Sequence, residues 1–311
     1  MNRPAEKSTG QKAAYEKTLA RVAPLLFVVL WSSGFIGTKA MVLNSEPFTG
    51  LTIRMALVVT VMAIIVAIVR PKWPNWREAG HSVVAGLLVH GLYLSGSSIA
   101  MAHAVPAGLS ALVPGLQPIL TSTLANRWLG ERVTKLQWMG LVLGLGGVLL
   151  VLYTRSMVGE LGWGYLGTVV ALISITLGTL YQKRYCSQID WRSGNLIQFF
   201  ATGCMFAVGS AIFETQYVNW SREFILAQAW LVLMLSIGSI GLLYWLIRHS
   251  GATQVASLFY LVPAVTAVMA YLLFDEHVGW LGILGMAICA AGVFLVNKPQ
   301  PKDEVEVSPG S

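Results

Sequence analysis

His90, Tyr93 and Ser97 recur at i, i+3 and i+7 within one long apolar stretch, so a helix there carries all three on a single stripe. An imidazole in such a place can bind a carboxylate or carry a proton. A buried neutral histidine bonded to a neighbouring helix would leave the same pattern. Other apolar stretches also hold hydroxyl, amide and aromatic side chains: Trp31 and Ser33, Ser110 and Gln117, Thr179 and Gln182, Ser239 and Tyr244, and Tyr260. Hydroxyls and amides suit the ammonium and carboxylate of a small zwitterion, and aromatic faces take apolar groups and cations. One such serine is ordinary interhelical glue, worth about 0.6 kcal/mol. Their collective enrichment reads as the lining of a cavity. The expected small-molecule contacts are Trp31, Ser33, His90, Tyr93, Gln117, Ser239, Tyr244 and Tyr260.

The acids tell by where they are missing. Glu46, Glu78, Glu131, Glu160, Asp190, Glu214, Glu223, Asp275 and Glu276 all fall at the ends of apolar stretches or between them. A proton relay across a membrane would bury a carboxylate near the middle of one. Glu131 and Glu276 each stand in a short turn, where capping of the next helix through backbone N–H groups is the expected role. Asp275, Glu276 and His277 are consecutive in a tight turn, which is poor geometry for converging on one ion, so no metal site is expected. No cofactor and no catalytic residue is expected either: Gly34 to Lys39 lacks the spacing of a phosphate loop, and no G-x-S-x-G, H-E-x-x-H or paired-cysteine pattern occurs. Cys186, Cys204 and Cys289 are scattered and odd in number, against a disulfide framework.

These residues must be positioned by membrane helices. The chain is 55% apolar and 11% charged, with a mean hydropathy of +0.66, where a soluble domain carries about 25% charged residues. A span needs about 20 apolar residues. Ten fit, at roughly 22–42, 49–69, 80–101, 105–126, 136–153, 162–182, 195–213, 228–247, 253–273 and 279–297. The basic arm 1–21 and the tail 298–311 are left over, and both are expected to be disordered.

The net charge of +7 does not point to nucleic acid. With the N-terminus inside, the inner segments hold the basic residues of the arm, then Arg70, Lys72, Arg77, Arg127, Arg132, Lys135, Lys183, Arg184, Arg192, Arg248, Lys298 and Lys302. The outer loops hold Arg155 and Arg222, and Lys39 and Arg54 lie in spans near their expected outer ends. The positive-inside rule then sets both termini in the cytoplasm, in what is expected to be a bacterial inner membrane.

The order of the spans carries an internal repeat. At a shift of 145 residues Ala107, Leu116, Pro118, Thr121, Glu131, Gly140 and Gly147 coincide with Ala252, Leu261, Pro263, Thr266, Glu276, Gly285 and Gly292. At a shift of 144, Gly34 to Lys39 meets Gly178 to Lys183. Each half, 22–153 and 160–297, holds five spans. Five is odd, so the second half enters the bilayer inverted, the architecture of secondary transporters. The fold expected is all-α and polytopic, with ten helices as two inverted five-helix repeats. Small residues in spans five and ten (Gly140, Gly144, Gly147; Gly285, Gly292) predict that these two pack together. Pro118 and Pro263, equivalent in the repeat, are expected to be paired hinges, since proline frees a backbone carbonyl that a cavity can satisfy.

The stretches Trp31 to Lys39 and Pro47 to Arg54, with Gly130-Glu131-Arg132 and Asp275-Glu276-His277 in two inverted halves, resemble the EamA family of the drug/metabolite transporter superfamily over about residues 22–297. The resemblance implies an inner-membrane exporter of amino acids or related metabolites working by alternating access. It also implies a central cavity lined by spans one, three, four, six, eight and nine. Its partners would be a small-molecule substrate and the bilayer. Four-span multidrug relatives carry an essential acid in span one, which this chain lacks. The alternatives are a nucleotide-sugar or phosphate-ester exchanger, a drug exporter, or a membrane-embedded lipid-modifying enzyme.

Overall fold

A computed structural model of the chain describes residues 5–121, 124, 135–157, 162–239, 242, 246, 258–277 and 279–296. The regular elements among them are helices: α1 (Ala5–Val42), α2 (Pro47–Val69), α3 (Trp76–Ala102), α4 (Ala107–Thr121), α5 (Lys135–Met157), α6 (Gly164–Tyr185), α7 (Trp191–Phe213), α8 (Arg222–Ser239), α9 (Val262–Phe274) and α10 (Trp280–Val296). Six are long and apolar enough to cross a bilayer, and four shorter apolar ones fall where the remaining spans are expected. The fold is the expected two-repeat, all-helical membrane fold. One expectation is corrected at once. The basic arm is helical from Ala5 onward and continuous with the first span. Its run of alanine, lysine, glutamate and leucine is rich in good helix formers. The tail 298–311 lies outside the described residues.

The helix ends are set by local chemistry. Pro47 starts α2 at the position where a missing N–H costs nothing. Asn75 and Glu78 form a reciprocal capping box at α3, with bonds of 3.0 and 2.8 Å. Asp190 caps α7 through Arg192 N at 2.9 Å, and Ser221 caps α8 through Phe224 N at 3.2 Å. The α9 helix stops where Asp275 turns left-handed, at φ 55°.

The inversion is visible in how equivalent helices meet. Glu214, at the C-terminal end of α7, accepts from Phe48 N and Thr49 N at the start of α2, each at 2.7 Å. At the opposite end Ser193 of α7 donates to the carbonyl of Lys72 beyond α2, at 2.9 Å. Repeat-equivalent helices α2 and α7 therefore run antiparallel along their length. Helices α5 and α10 do the same, backbone against backbone: a Cβ on Gly147 would lie 2.5 Å from Gly285 O, and one on Gly292 would lie 2.6 Å from Gly140 O. This is the pairing that the small-residue spacing predicts.

The first span of each half packs on the third span of the other. A Cβ on Gly34 of α1 would lie 2.7 Å from the Leu235 side chain of α8, and one on Gly178 of α6 would lie 2.7 Å from Val89 of α3. In lipid such close approach supplies the attraction between helices. Both α3 and α8 depart from regular α-helix at equivalent places. Leu87–Leu92 and Leu231–Ser239 are π-helical, with i→i+5 bonding. A π turn displaces backbone carbonyls, and serines of α8 answer this: Ser236 donates to Leu231 O at 3.0 Å and Ser239 to Met234 O at 3.2 Å. Helices α4 and α9 show a second matched irregularity. Pro114–Leu116 and Phe259–Leu261, 145 residues apart, are both 3-10 turns. Pro118 and Pro263 each follow two residues after the turn ends.

Candidate functional site

The two π segments meet across a cavity of about 140 Å³. From α3 come Val89, His90, Tyr93, Leu94, Ser97 and Met101, and from α8 Leu235 and Ser236. Helix α1 adds Trp31, Gly34, Phe35 and Thr38. The remaining wall is Arg54 and Met55 of α2, Ile175 of α6 and Phe199 of α7. A π turn re-aims side chains without breaking the helix and recurs at functional sites. Here it turns His90 against Phe199, ring centroids 4.6 Å apart. Trp31 is held from behind by Phe27 and Phe259, at 5.4 and 5.1 Å. No aspartate or glutamate is among the described residues that line the cavity.

Of the expected contacts, Trp31, His90 and Tyr93 come together on this wall. Ser33 does not: it accepts from Trp230 Nε1 at 2.7 Å and donates to Leu30 O at 2.6 Å, tying α1 to α8. Ser239 is fully buried and spent on the π turn. Gln117 donates to Thr179 Oγ1 at 2.9 Å, joining α4 to α6. These three are absent from the cavity wall because nearer polar partners hold them. Tyr244 and the side chain of Tyr260 lie outside the described residues. Among the described residues, none of spans four and nine lines this wall. Leu112 and Gly115 of α4 and Pro263 and Ala264 of α9 instead wall a separate apolar cavity of about 200 Å³ beside α10. Helices α2 and α7 take their place around the central one.

Sequence reasoning missed Arg54. The sequence placed it in a span near the expected outer end, close to the interface. Instead it is 4% exposed and faces the cavity, its Nη2 3.4 Å from Ser236 Oγ.

The face bearing the α1–α2 loop is closed above the cavity. Phe35, Ile36, Met101, Ala107, Ala111, Val262 and Ala270 form one buried cluster between α1, α3, α4 and α9. Beyond it, Lys39 Nζ lies 3.4 Å from Glu276 Oε1, with side chains 12% and 14% exposed. The other carboxylate oxygen of Glu276 accepts from Ala107 N at 2.8 Å. Glu276 thus caps a helix as expected, but it is α4 of the other half rather than the next helix. Glu131, its repeat mate, lies outside the described residues.

A second clasp on the same face is pH-sensitive. Glu46 accepts from Tyr217 N at 2.9 Å and from Thr215 N and Oγ1 at 3.2 and 3.1 Å. These bonds, that of Tyr217 foremost, hold the Glu46 carboxyl below its ordinary value. A lowered folded value means the clasp is fully present above the ordinary glutamate pKa of about 4.3 and is lost as pH falls through the lower folded value. The melting temperature of wild type should exceed that of Glu46→Gln at pH 7, and the gap should close on acidification below about pH 4.3. A gap independent of pH would contradict it.

Comparison with known proteins now decides the class. The model of the EamA-like transporter family matches residues 20–153 and again 162–298. The chain belongs to this family. Among similar proteins of this EamA transporter is one named a probable amino-acid metabolite efflux pump, from Escherichia coli (strain K12), 28% identical over 285 residues, covering 88% of this chain and 93% of that protein. An uncharacterised transporter of Bacillus subtilis (strain 168) is 25% identical over 291 residues, covering 90% and 92%. A solved crystal structure, 18% identical, superposes with a TM-score of 0.61 over 89% of this chain and 96% of its own, a likeness of fold alone. The EamA chain is a multi-pass membrane transporter of the drug/metabolite superfamily.

Proposed function

We propose that this EamA protein is a secondary-active exporter of small amphipathic metabolites, amino acids first among them. It would work by alternating access in a bacterial inner membrane with both termini cytoplasmic. Residues 22–153 and 160–297 are its two inverted repeats. The observation that carries the reading is the central cavity, built where equivalent π segments of the two halves meet and lined, among the described residues, by aromatic, hydroxyl, imidazole and guanidinium groups without an acid. Trp31, His90 and Tyr93 are the proposed substrate contacts. The similarity to a protein named as an amino-acid metabolite efflux pump supports the substrate class.

In this reading the Lys39–Glu276–Ala107 contact shuts the cavity on the side that the basic residues assign to the outside. Opening that side moves α4 and α9, and Pro118 and Pro263 are the proposed hinges. Their equivalent 3-10 turns are places where backbone bonding already changes register.

Counterflow into proteoliposomes preloaded with the twenty amino acids tests the reading. Uptake of a labelled amino acid, competed by its relatives, is the expected result, with Ala at Trp31, His90 or Tyr93 reducing it at least tenfold. Silence across all twenty, with folded and inserted protein, would sink the assignment. A second reading, exchange of phosphate esters, draws on Arg54, a cation facing the cavity. Uptake of a sugar phosphate together with silence on amino acids would select it.

A further inference from the structure

We infer that Arg54 is an anion-binding subsite and that the ligands of the central cavity bear a carboxylate. The inference rests on the transporter reading for its biological meaning, and on the geometry of α2 for its chemistry.

The guanidinium is almost wholly buried, yet its Nε and Nη1 have no hydrogen-bond partner. Its one polar contact, Nη2 to Ser236 Oγ, is long at 3.4 Å, beyond the usual N–H···O range of about 2.7–3.2 Å. Ser236 is also committed to the carbonyl of Leu231. Among the described residues, no carboxylate pairs with Arg54 and none lines the cavity. A buried charge in a membrane protein is ordinarily paired or faces a functional path, because leaving it bare is costly. Arginine does not escape that cost by losing its proton. A second buried donor on the same wall, Ser97 Oγ, also lacks a partner. Three donors with nothing to bond thus border one empty volume.

The repeat sharpens the point. Gln198 is the residue equivalent to Arg54 at the shift of 144, and it too is buried. One half thus fills this place with a neutral amide, whose Oε1 also lacks a partner, and the other half fills it with a charge. The anion fits a carboxylate better than a phosphate ester. A guanidinium presents two parallel N–H bonds matched to a carboxylate. A phosphomonoester brings about −1.5 to −2 charges, and no other lysine or arginine is among the described residues that line this cavity. In the same wall, Trp31, Phe35, Met55 and Phe199 offer apolar surface for the rest of the molecule.

The test is calorimetric titration of the purified full-length protein with matched pairs: L-phenylalanine against L-phenylalaninamide, and phenylacetate against phenylacetamide, with phenyl phosphate alongside. Wild type should bind each acid roughly 10- to 100-fold more tightly than its amide, the scale of a charged hydrogen-bonded contact. Arg54→Gln should remove the preference, and Arg54→Lys, which keeps the charge and loses the fork, should retain part of it. Equal binding of acid and amide by wild type needs no variant to fold and would overturn the inference. So would absence of binding by every member, or an acid preference that survives Arg54→Gln. Preference for phenyl phosphate over phenylacetate would overturn the carboxylate assignment. Silent counterflow with the acid preference intact would sink the amino-acid exporter and leave the subsite standing.

Discussion

Replacing Glu276 with Gln should unlock the face of the molecule that bears the α1–α2 loop. Gln retains a carbonyl oxygen for Ala107 N but loses the charge that Lys39 faces at 3.4 Å. The ammonium, on a side chain only 12% exposed, is then left without its counter-ion. Breaking a buried pair in this way costs about 3–5 kcal/mol where the surviving charge cannot reach water. Lys39 is close enough to the surface to recover some of that by rotating outward, so a loss near the lower end is expected. Glu276→Ala also removes the cap and should add about 1 kcal/mol. The loss falls on the closed arrangement, because the pair joins α1 to the α9–α10 loop and the start of α4. The population open on that face should therefore rise by two orders of magnitude or more, at about 1.4 kcal/mol per tenfold. Labelling of Met101→Cys by a membrane-impermeant maleimide reads this directly, with the three native cysteines replaced. Faster labelling in Glu276→Gln, reversed in large part when Lys39→Glu is combined with Glu276→Lys, which restores the ion pair but not the cap on Ala107 N, is the expected result. An unchanged rate would show that the pair does not hold the face shut.

The second large effect concerns the seam between α5 and α10. A Cβ on Gly292 would lie 2.6 Å from both Gly140 O and Gly144 N, and the obstruction is backbone, which cannot swing aside. Gly147 makes the reciprocal contact with Gly285 O and Cys289 N, at 2.5 and 2.7 Å. Overpacking in a well-filled core costs about 1–3 kcal/mol per substitution, and two helices forced apart lose contacts along their whole shared length. Gly292→Val should lower the melting temperature sharply and reduce the yield of monodisperse protein. Gly146→Val, on the same α5 helix, is the control. A Cβ there meets nothing within 4 Å, so it should be tolerated. Equal losses from both would mean that valine itself, rather than the seam, is at fault.

The chain's linear pattern settled a good deal. Apolar length set the helices, because a bilayer admits only spans that bond their own backbone. The identities at a shift of 145, with five spans in each half, demanded inversion, and antiparallel α2 and α7 show it in their end contacts. The glycines of α5 and α10 announced their own pairing, since only small residues permit it. Trp31, His90 and Tyr93 were among the polar and aromatic groups inside long apolar helices that the sequence offered as cavity residues, and they line it. What only the tertiary structure decided is which way each helix is turned. Ser33, Gln117 and Ser239 were indistinguishable by type from cavity residues, and neighbours supplied by distant helices or the π turn claimed their hydrogen bonds. The π turns, too, were read only from the structure, since the shift from i→i+4 to i→i+5 bonding leaves the apolar pattern of these stretches unchanged. Arg54 is the sharpest case. Its distance from the helix end pointed to the interface, but its direction is set by how α2 seats on α7 and α8, a contact between halves that lie far apart in sequence. That rotation turned a side chain expected near the interface into a charged group of the cavity wall.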